Sequence, residues 1–133
     1  MLVITTKSPY AVRALAELAR RGQTAPVPIG EIARAREIPV QFLEGLFATL
    51  RRAGILQSQR GVKGGYSFAR PPTEITVLEV VELLEGELGS GVSSNGALWT
   101  DAVDAVKGVL SGSTIADVAE RESQTAGAPM YYI

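Results

Sequence analysis

Apolar residues recur at helical spacing through the first third of the chain. Ala11, Ala14, Leu15 and Leu18 share one stripe and predict a helix over 8–21, with Ser8 as its cap, Pro9 in the first turn and Gly22 as its stop. "TAPVP" (24–28) reads as a loop. Pro28 opens a second, short helix, "IGEIARA" (29–35), with Ile29, Ile32 and Ala33 inward. After a break at Glu37-Ile38, Pro39 opens a third helix that runs to about Ala53 and stops at Gly54.

The third helix has two unlike faces. Leu43, Leu46, Phe47 and Leu50 have the spacing of a buried stripe. Gln41, Glu44, Gly45, Ala48 and Arg52 fall on the other side, which is small and polar at first and basic at its end. A face selected for helix propensity alone would not hold Gly45, which costs about 1 kcal/mol relative to Ala. Close approach by another molecule would explain it.

The periodicity then changes. "ILQSQ" (55–59) and "GYSFAR" (65–70) alternate as strands, joined by the glycine-bearing turn "RGVKG". Pro71-Pro72 breaks the chain, and Thr76 caps a helix, "VLEVVELLEG", with Val77, Val80, Val81 and Leu84 inward. "GELGSGVSSNG" (86–96) has the composition of a flexible linker. Helical spacing returns over 97–110, where Trp99, Val103, Val106 and Leu110 form a stripe suited to a partner helix. "STIADVAERE" (113–122) predicts a short capped helix. "SQTAGAPMYYI" reads as a loose arm closing on two tyrosines and an isoleucine.

Composition narrows the chemistry. The 133 residues, 46% hydrophobic and 20% charged, suffice for one folded domain with a modest core. There is no Cys and no His, so thiolate catalysis, disulfides, zinc sites of the usual ligand types and cysteine-ligated iron–sulfur clusters are excluded. No metal site and no cofactor are expected. The acids read as helix-face charges rather than a catalytic pair, so the chain is not expected to be an enzyme. No apolar run reaches membrane-spanning length, and the N-terminus is too soon polar for a signal peptide, which makes a cytoplasmic protein the expectation.

The net charge of −1 conceals an asymmetry. Residues 1–70 carry eleven Lys/Arg against four acids, whereas residues 71–133 carry two against ten. A basic first half suggests a face for a polyanion. Three short helices followed by a hairpin with a basic tip have the plan of a winged helix-turn-helix: one helix buries one face and offers the other to the major groove, and the wing reaches phosphates or the minor groove. A nucleotide-phosphate loop fits less well, because Gly61, Gly64 and Gly65 lie between two strands and no Lys-Ser/Thr pair follows. A purely structural glycine turn remains the other reading.

The stretches "SPYAVRALAELA", "VPIGEIARAREIPVQFLEGLFATLRRAGILQSQRGVKGGYSFARP" and "ITVLEVVELLEG" resemble the Rrf-type bacterial transcription regulators that include IscR, NsrR and CymR; the resemblance covers residues 4–86. It implies a mainly α fold with a small β-hairpin: a winged helix-turn-helix DNA-binding domain and a long C-terminal dimerisation helix. It also implies a homodimer on a double-stranded DNA operator, expected to act as a repressor. By position, base-edge contacts would fall on Gln41, Glu44 and Gly45, and the wing pair Arg60-Gly61 would enter the minor groove. Lys7, Arg51, Arg52 and Lys63 would meet phosphates. Trp99, Val103, Val106 and Leu110 match the dimerisation helix. The implied organisation is 1–72 DNA-binding, 73–112 linker and dimerisation helix, and 113–133 C-terminal helix and tail.

Two departures from the family pattern stand out. Many members carry three cysteines where this chain has "GELGSGVSSNG", so a cluster sensor is not expected. The usual turn glycine before the third helix is replaced near Arg36-Glu37. The lack of cysteine and the closing "MYYI" resemble the CymR branch, which suggests cysteine or sulfur metabolism genes as targets. A terminal Ile on an arm also resembles the way serine acetyltransferase engages O-acetylserine sulfhydrylase. Tyr131, Tyr132 and Ile133 are therefore expected to dock that enzyme. A protein whose main work is that docking, with DNA binding secondary, is the competing expectation.

Overall fold

The computed structural model describes residues 4–22, 25–62 and 64–126. Helices α1 (Lys7–Arg20), α2 (Ile29–Arg36) and α3 (Val40–Arg52) lead into a hairpin of β1 (Leu56–Gln59) and β2 (Gly65–Phe68). Then come α4 (Val77–Glu85), α5 (Ala97–Ser111) and α6 (Ile115–Ala126). The fold is thus mainly helical with one antiparallel hairpin, as the periodicities predict. None of the described helices is long and apolar enough to cross a membrane.

The predicted stripes make the core. Ala11, Ala14, Leu15 and Leu18 of α1 meet Ile32 of α2 and Leu43, Leu46, Phe47 and Leu50 of α3, all buried. Full burial of each large side chain contributes about 2 kcal/mol. Phe47 meets Tyr66 of β2 edge-on at 5.1 Å, which fastens the wing to α3. The buried cluster runs without a break from Ala11 to Ile115, through all three segments expected from the sequence.

The α2–α3 turn keeps its geometry without glycine. Glu37 adopts φ 55°, ψ 47°, in the left-handed region. The Ile38 N–H donates to the Ala33 carbonyl at 2.9 Å and the Glu37 N–H to the Arg34 carbonyl at 3.4 Å, which closes α2 by a Schellman pairing. Ile38 is buried just beyond it and holds the turn in place.

The wing is built by pairing and by close approach. Leu56 faces Phe68 and Gln59 faces Gly65 across the hairpin. Val27, in the α1–α2 loop, exchanges both backbone hydrogen bonds with Tyr66, at 2.9 and 2.8 Å, and so adds a third edge to the hairpin. At Gly65 (φ 147°) any Cβ would collide with the Val27 carbonyl. That position requires glycine for this contact.

Three expectations are corrected. The start of α1 is not capped by the Ser8 side chain: Ser8 is buried inside the first turn, and its hydroxyl donates to Glu85 at the end of α4. The span 86–96 is not a plain linker. Leu88 is 2% exposed in the core, its N–H donates to the Glu82 carboxylate at 3.0 Å, and Val92–Asn95 form a 3-10 turn. One apolar side chain with a place in the core outweighs the flexible composition around it. The last helix continues past residue 122 to Ala126, taking up the start of the segment read as a loose arm. It begins with a reciprocal cap, the Thr114 N–H on the Asp117 carboxylate at 2.9 Å and the Asp117 N–H on the Thr114 hydroxyl at 3.1 Å.

Helix α6 returns to the first half of the chain. The Val77 N–H donates to the Ser113 carbonyl at 2.9 Å and the Ile115 N–H to the Ile75 carbonyl at 2.8 Å. This bridge joins the starts of α4 and α6 and directs α6 along α1.

Candidate nucleic-acid interface

Helix α3 turns its apolar stripe inward and leaves Gln41, Glu44, Gly45, Arg51 and Arg52 exposed on the outside. A Cβ at Gly45 would meet nothing within 4 Å, so no contact inside the chain accounts for that glycine. Lys7 comes to the same place from the start of α1. Together with Gln41, Gly45 and Leu83 it lines a groove of about 410 Å³ beside α3. The Thr49 hydroxyl donates to the Gly45 carbonyl at 3.2 Å and accepts from Arg52 at 3.3 Å, which holds that guanidinium against the helix end.

Arg60 and Gly61 are exposed at the wing tip, and Gly61 takes φ 108° there. Lys63 lies outside the described residues. Sequence reasoning passed over Val62, which is wholly exposed between these positions. An apolar residue at a hairpin tip, with no partner stripe, was the available signal.

Ion pairing sorts the basic residues of the first half into two groups. Arg21 binds Glu17 at 2.7 Å and Glu31 at 3.0 Å, and Arg70 binds Glu79 at 2.6 Å. Arg36 clasps both oxygens of Glu122, at 2.7 and 3.0 Å, and also reaches Glu17 at 3.0 Å. Arg13 donates to the Arg36 carbonyl at 2.7 Å. In contrast, no ion pair among the described residues holds Lys7, Arg20, Arg34, Arg51, Arg52 or Arg60, and all six are exposed. Four of the six are predicted site residues, and Arg20 lies away from them on α1. Arg34, on α2, is a further candidate that only the unused charge reveals.

The paired group also shows in proton affinity. Burial pushes the Glu17 carboxyl up, but hydrogen bonds and charge from Arg21 and Arg36 outweigh it and hold it below its ordinary value. The Arg36 hydrogen bond holds Glu122 low against burial, and Arg36 itself is raised, chiefly by Glu122.

Helix α5 divides its apolar residues. Val103, expected to face a partner, is 7% exposed and rests on Gly89, and Val106 and Leu110 are half-buried against the chain's own core. The outward apolar residues are Leu98 and Val109, each 72% exposed, and Trp99 at 55%. Val103 is thus taken up within its own chain: a helix packed on α4 spends one stripe there and presents the next. Tyr131, Tyr132 and Ile133 lie outside the described residues.

Comparison with known proteins finds similar transcriptional regulators. The sequence pattern of the Rrf2 family, described as "Iron-dependent Transcriptional regulator", matches residues 4–121. The HTH-type transcriptional regulator CymR of Bacillus subtilis is 32% identical over 136 residues, covering 98% of this chain and 99% of CymR. Its solved structure superposes with a TM-score of 0.80 at 34% identity, over 91% of this chain and 98% of CymR. T. potens IscR superposes with a TM-score of 0.82 at 32% identity, over 98% and 96% of the two chains. The Synechocystis protein slr0846 is 44% identical over 85 residues, which are 64% of this chain and 58% of that relative.

Proposed function

The chain belongs to the Rrf2 family of transcriptional regulators, and from that premise we propose that it is a homodimeric, sequence-specific DNA-binding repressor. Helix α3 enters the major groove, where Gln41 and Glu44 meet base edges and Gly45 permits close approach. Arg60 and Gly61 enter the adjoining minor groove with Val62 at the tip. Lys7, Arg34, Arg51, Arg52 and Lys63 contact phosphates. Residues 1–72 form the DNA-binding part, 73–112 carry the dimer contact through Leu98, Trp99 and Val109, and 113–133 form the last helix and tail. The observation that carries this reading is the set of exposed cations without acid partners around α3 and the wing, in a half where Arg13, Arg21, Arg36 and Arg70 are tied down.

The family's description names iron, but the residues of this chain do not fit it. The sequence has neither Cys nor His, and among the described residues no group of three or more potential ligands could hold a metal ion. One solved relative is titled the global cysteine regulator of B. subtilis, and genes of cysteine or sulfur metabolism are the targets this reading favours, in the cytoplasm. Docking of Tyr131, Tyr132 and Ile133 to O-acetylserine sulfhydrylase is a secondary activity supported by the sequence of the tail alone. Deletion of Ile133 with unchanged sulfhydrylase affinity would remove it.

The test is selection from a pool of bacterial upstream DNA by the purified protein. Enrichment of a partly palindromic site is expected. Equal recovery of all sequences at low salt would end the reading.

A further inference from the structure

We propose that the seam between α1 and α6 is a binding site for a small dianion bearing carboxylate or phosphate groups. A cavity of about 450 Å³ lies there, lined by Arg20, Arg36, Val118, Arg121, Glu122 and Thr125. That volume is within the range of sites for small metabolites. Three guanidinium groups line it against one carboxylate. Glu122 is already engaged by Arg36 through both oxygens, so it neutralises one of the three. Arg20 and Arg121 have no ion pair among the described residues, and Arg121 is one of two bases in a half of the chain with ten acids.

Two unpaired guanidinium groups on facing helices favour a ligand with two negative charges. Each planar fork matches a carboxylate or a phosphate by paired N–H donors. Val118 supplies an apolar wall between the charged groups. The site has a route to the rest of the molecule. Arg36 is the last residue of α2 and adjoins the left-handed turn at Glu37 that aims α3. A dianion at Arg20 and Arg121 repels the Glu122 carboxylate and competes with it for Arg36, so occupancy bears on the contact between α6 and that turn. Ligand binding itself does not depend on the DNA reading.

The test is calorimetry on the full-length protein without DNA, at constant ionic strength, with succinate and inorganic phosphate as separate probes. Saturable binding of at least one, at one site per chain, is expected, and which of the two binds distinguishes carboxylate from phosphate chemistry. Arg121→Gln and Arg20→Gln should each weaken it at least tenfold. Neither side chain makes an ion pair among the described residues, so both variants should fold. Lys107→Gln, which removes a cation from α5, should bind as the wild type does. Absence of saturable binding for both probes would overturn the proposal. So would unchanged affinity in both arginine variants, or a loss in Lys107→Gln as large as theirs.

Discussion

Ser8 and Glu85, 77 positions apart in sequence, meet at 2.8 Å, and through this contact the end of α4 caps the start of α1. The same carboxylate accepts the Ser8 N–H at 3.3 Å, the Thr5 N–H at 2.9 Å and the Thr5 hydroxyl at 3.0 Å. Burial pushes Glu85 up, but these donors, led by the Ser8 hydroxyl, hold it below its ordinary value. The contact fixes the end of α1 that carries Lys7, one wall of the groove beside α3.

Glu85→Gln is expected to destabilise the protein by about 1 kcal/mol at pH 7, the usual cost of a lost helix cap. Because the folded carboxyl is depressed, its contribution is fully present above the unfolded value, about 4.3, and is lost as pH falls through the folded value. Urea unfolding of wild type and variant should therefore differ at pH 7 and converge in strong acid. A constant difference at both pH values would contradict the capping role.

The legibility of the chain follows the range of its interactions. The buried stripes of α1 and α3, the hairpin and the Thr76 cap are local, and each could be read from spacing and residue type; Thr76 accepts from the Glu79 N–H at 3.1 Å as expected. The Glu85 cap, the place of Leu88 in the core and the inward turn of Val103 depend on partners far along the chain. Arg36 and Arg52 look alike in sequence, yet one is held by Glu17 and Glu122 and the other faces outward. Only tertiary pairing separates them.

Glu37→Gly should stabilise the protein by about 1 kcal/mol, since it removes a side chain from a left-handed backbone position that glycine occupies freely. Thermal unfolding checks this, with a raised midpoint expected. A lowered midpoint would mean that the Glu37 side chain contributes more than its backbone conformation costs.

Glu122→Ala should cost about 1–2 kcal/mol. It strips Arg36 of its two-point partner while leaving Glu17, in a site between the exposed and the fully buried case. A double-mutant cycle with Arg36→Ala should show coupling between the two residues, read from urea midpoints. Additive effects would mean that α6 is held to α2 by other contacts.

Val109→Asp and Trp99→Asp should shift the protein toward monomer in sedimentation, because they place a charge on the exposed apolar face of α5. Val103→Ala should act first on stability, through the space it leaves beside Gly89. A dimer that survives both aspartate variants would move the interface elsewhere.

The central claim is that the unpaired cations around α3 and the wing, not the basic half as a whole, meet the DNA. Fluorescence anisotropy on the selected site, across a salt series, compares wild type, Arg52→Gln and Arg21→Gln directly. For Arg52→Gln the slope of log K against log salt should fall by about 0.9, the value of one phosphate contact. For Arg21→Gln, whose guanidinium is bound to Glu17 and Glu31, the slope should match the wild type. Equal slopes for Arg52→Gln and wild type, or a reduced slope for Arg21→Gln, would contradict the account.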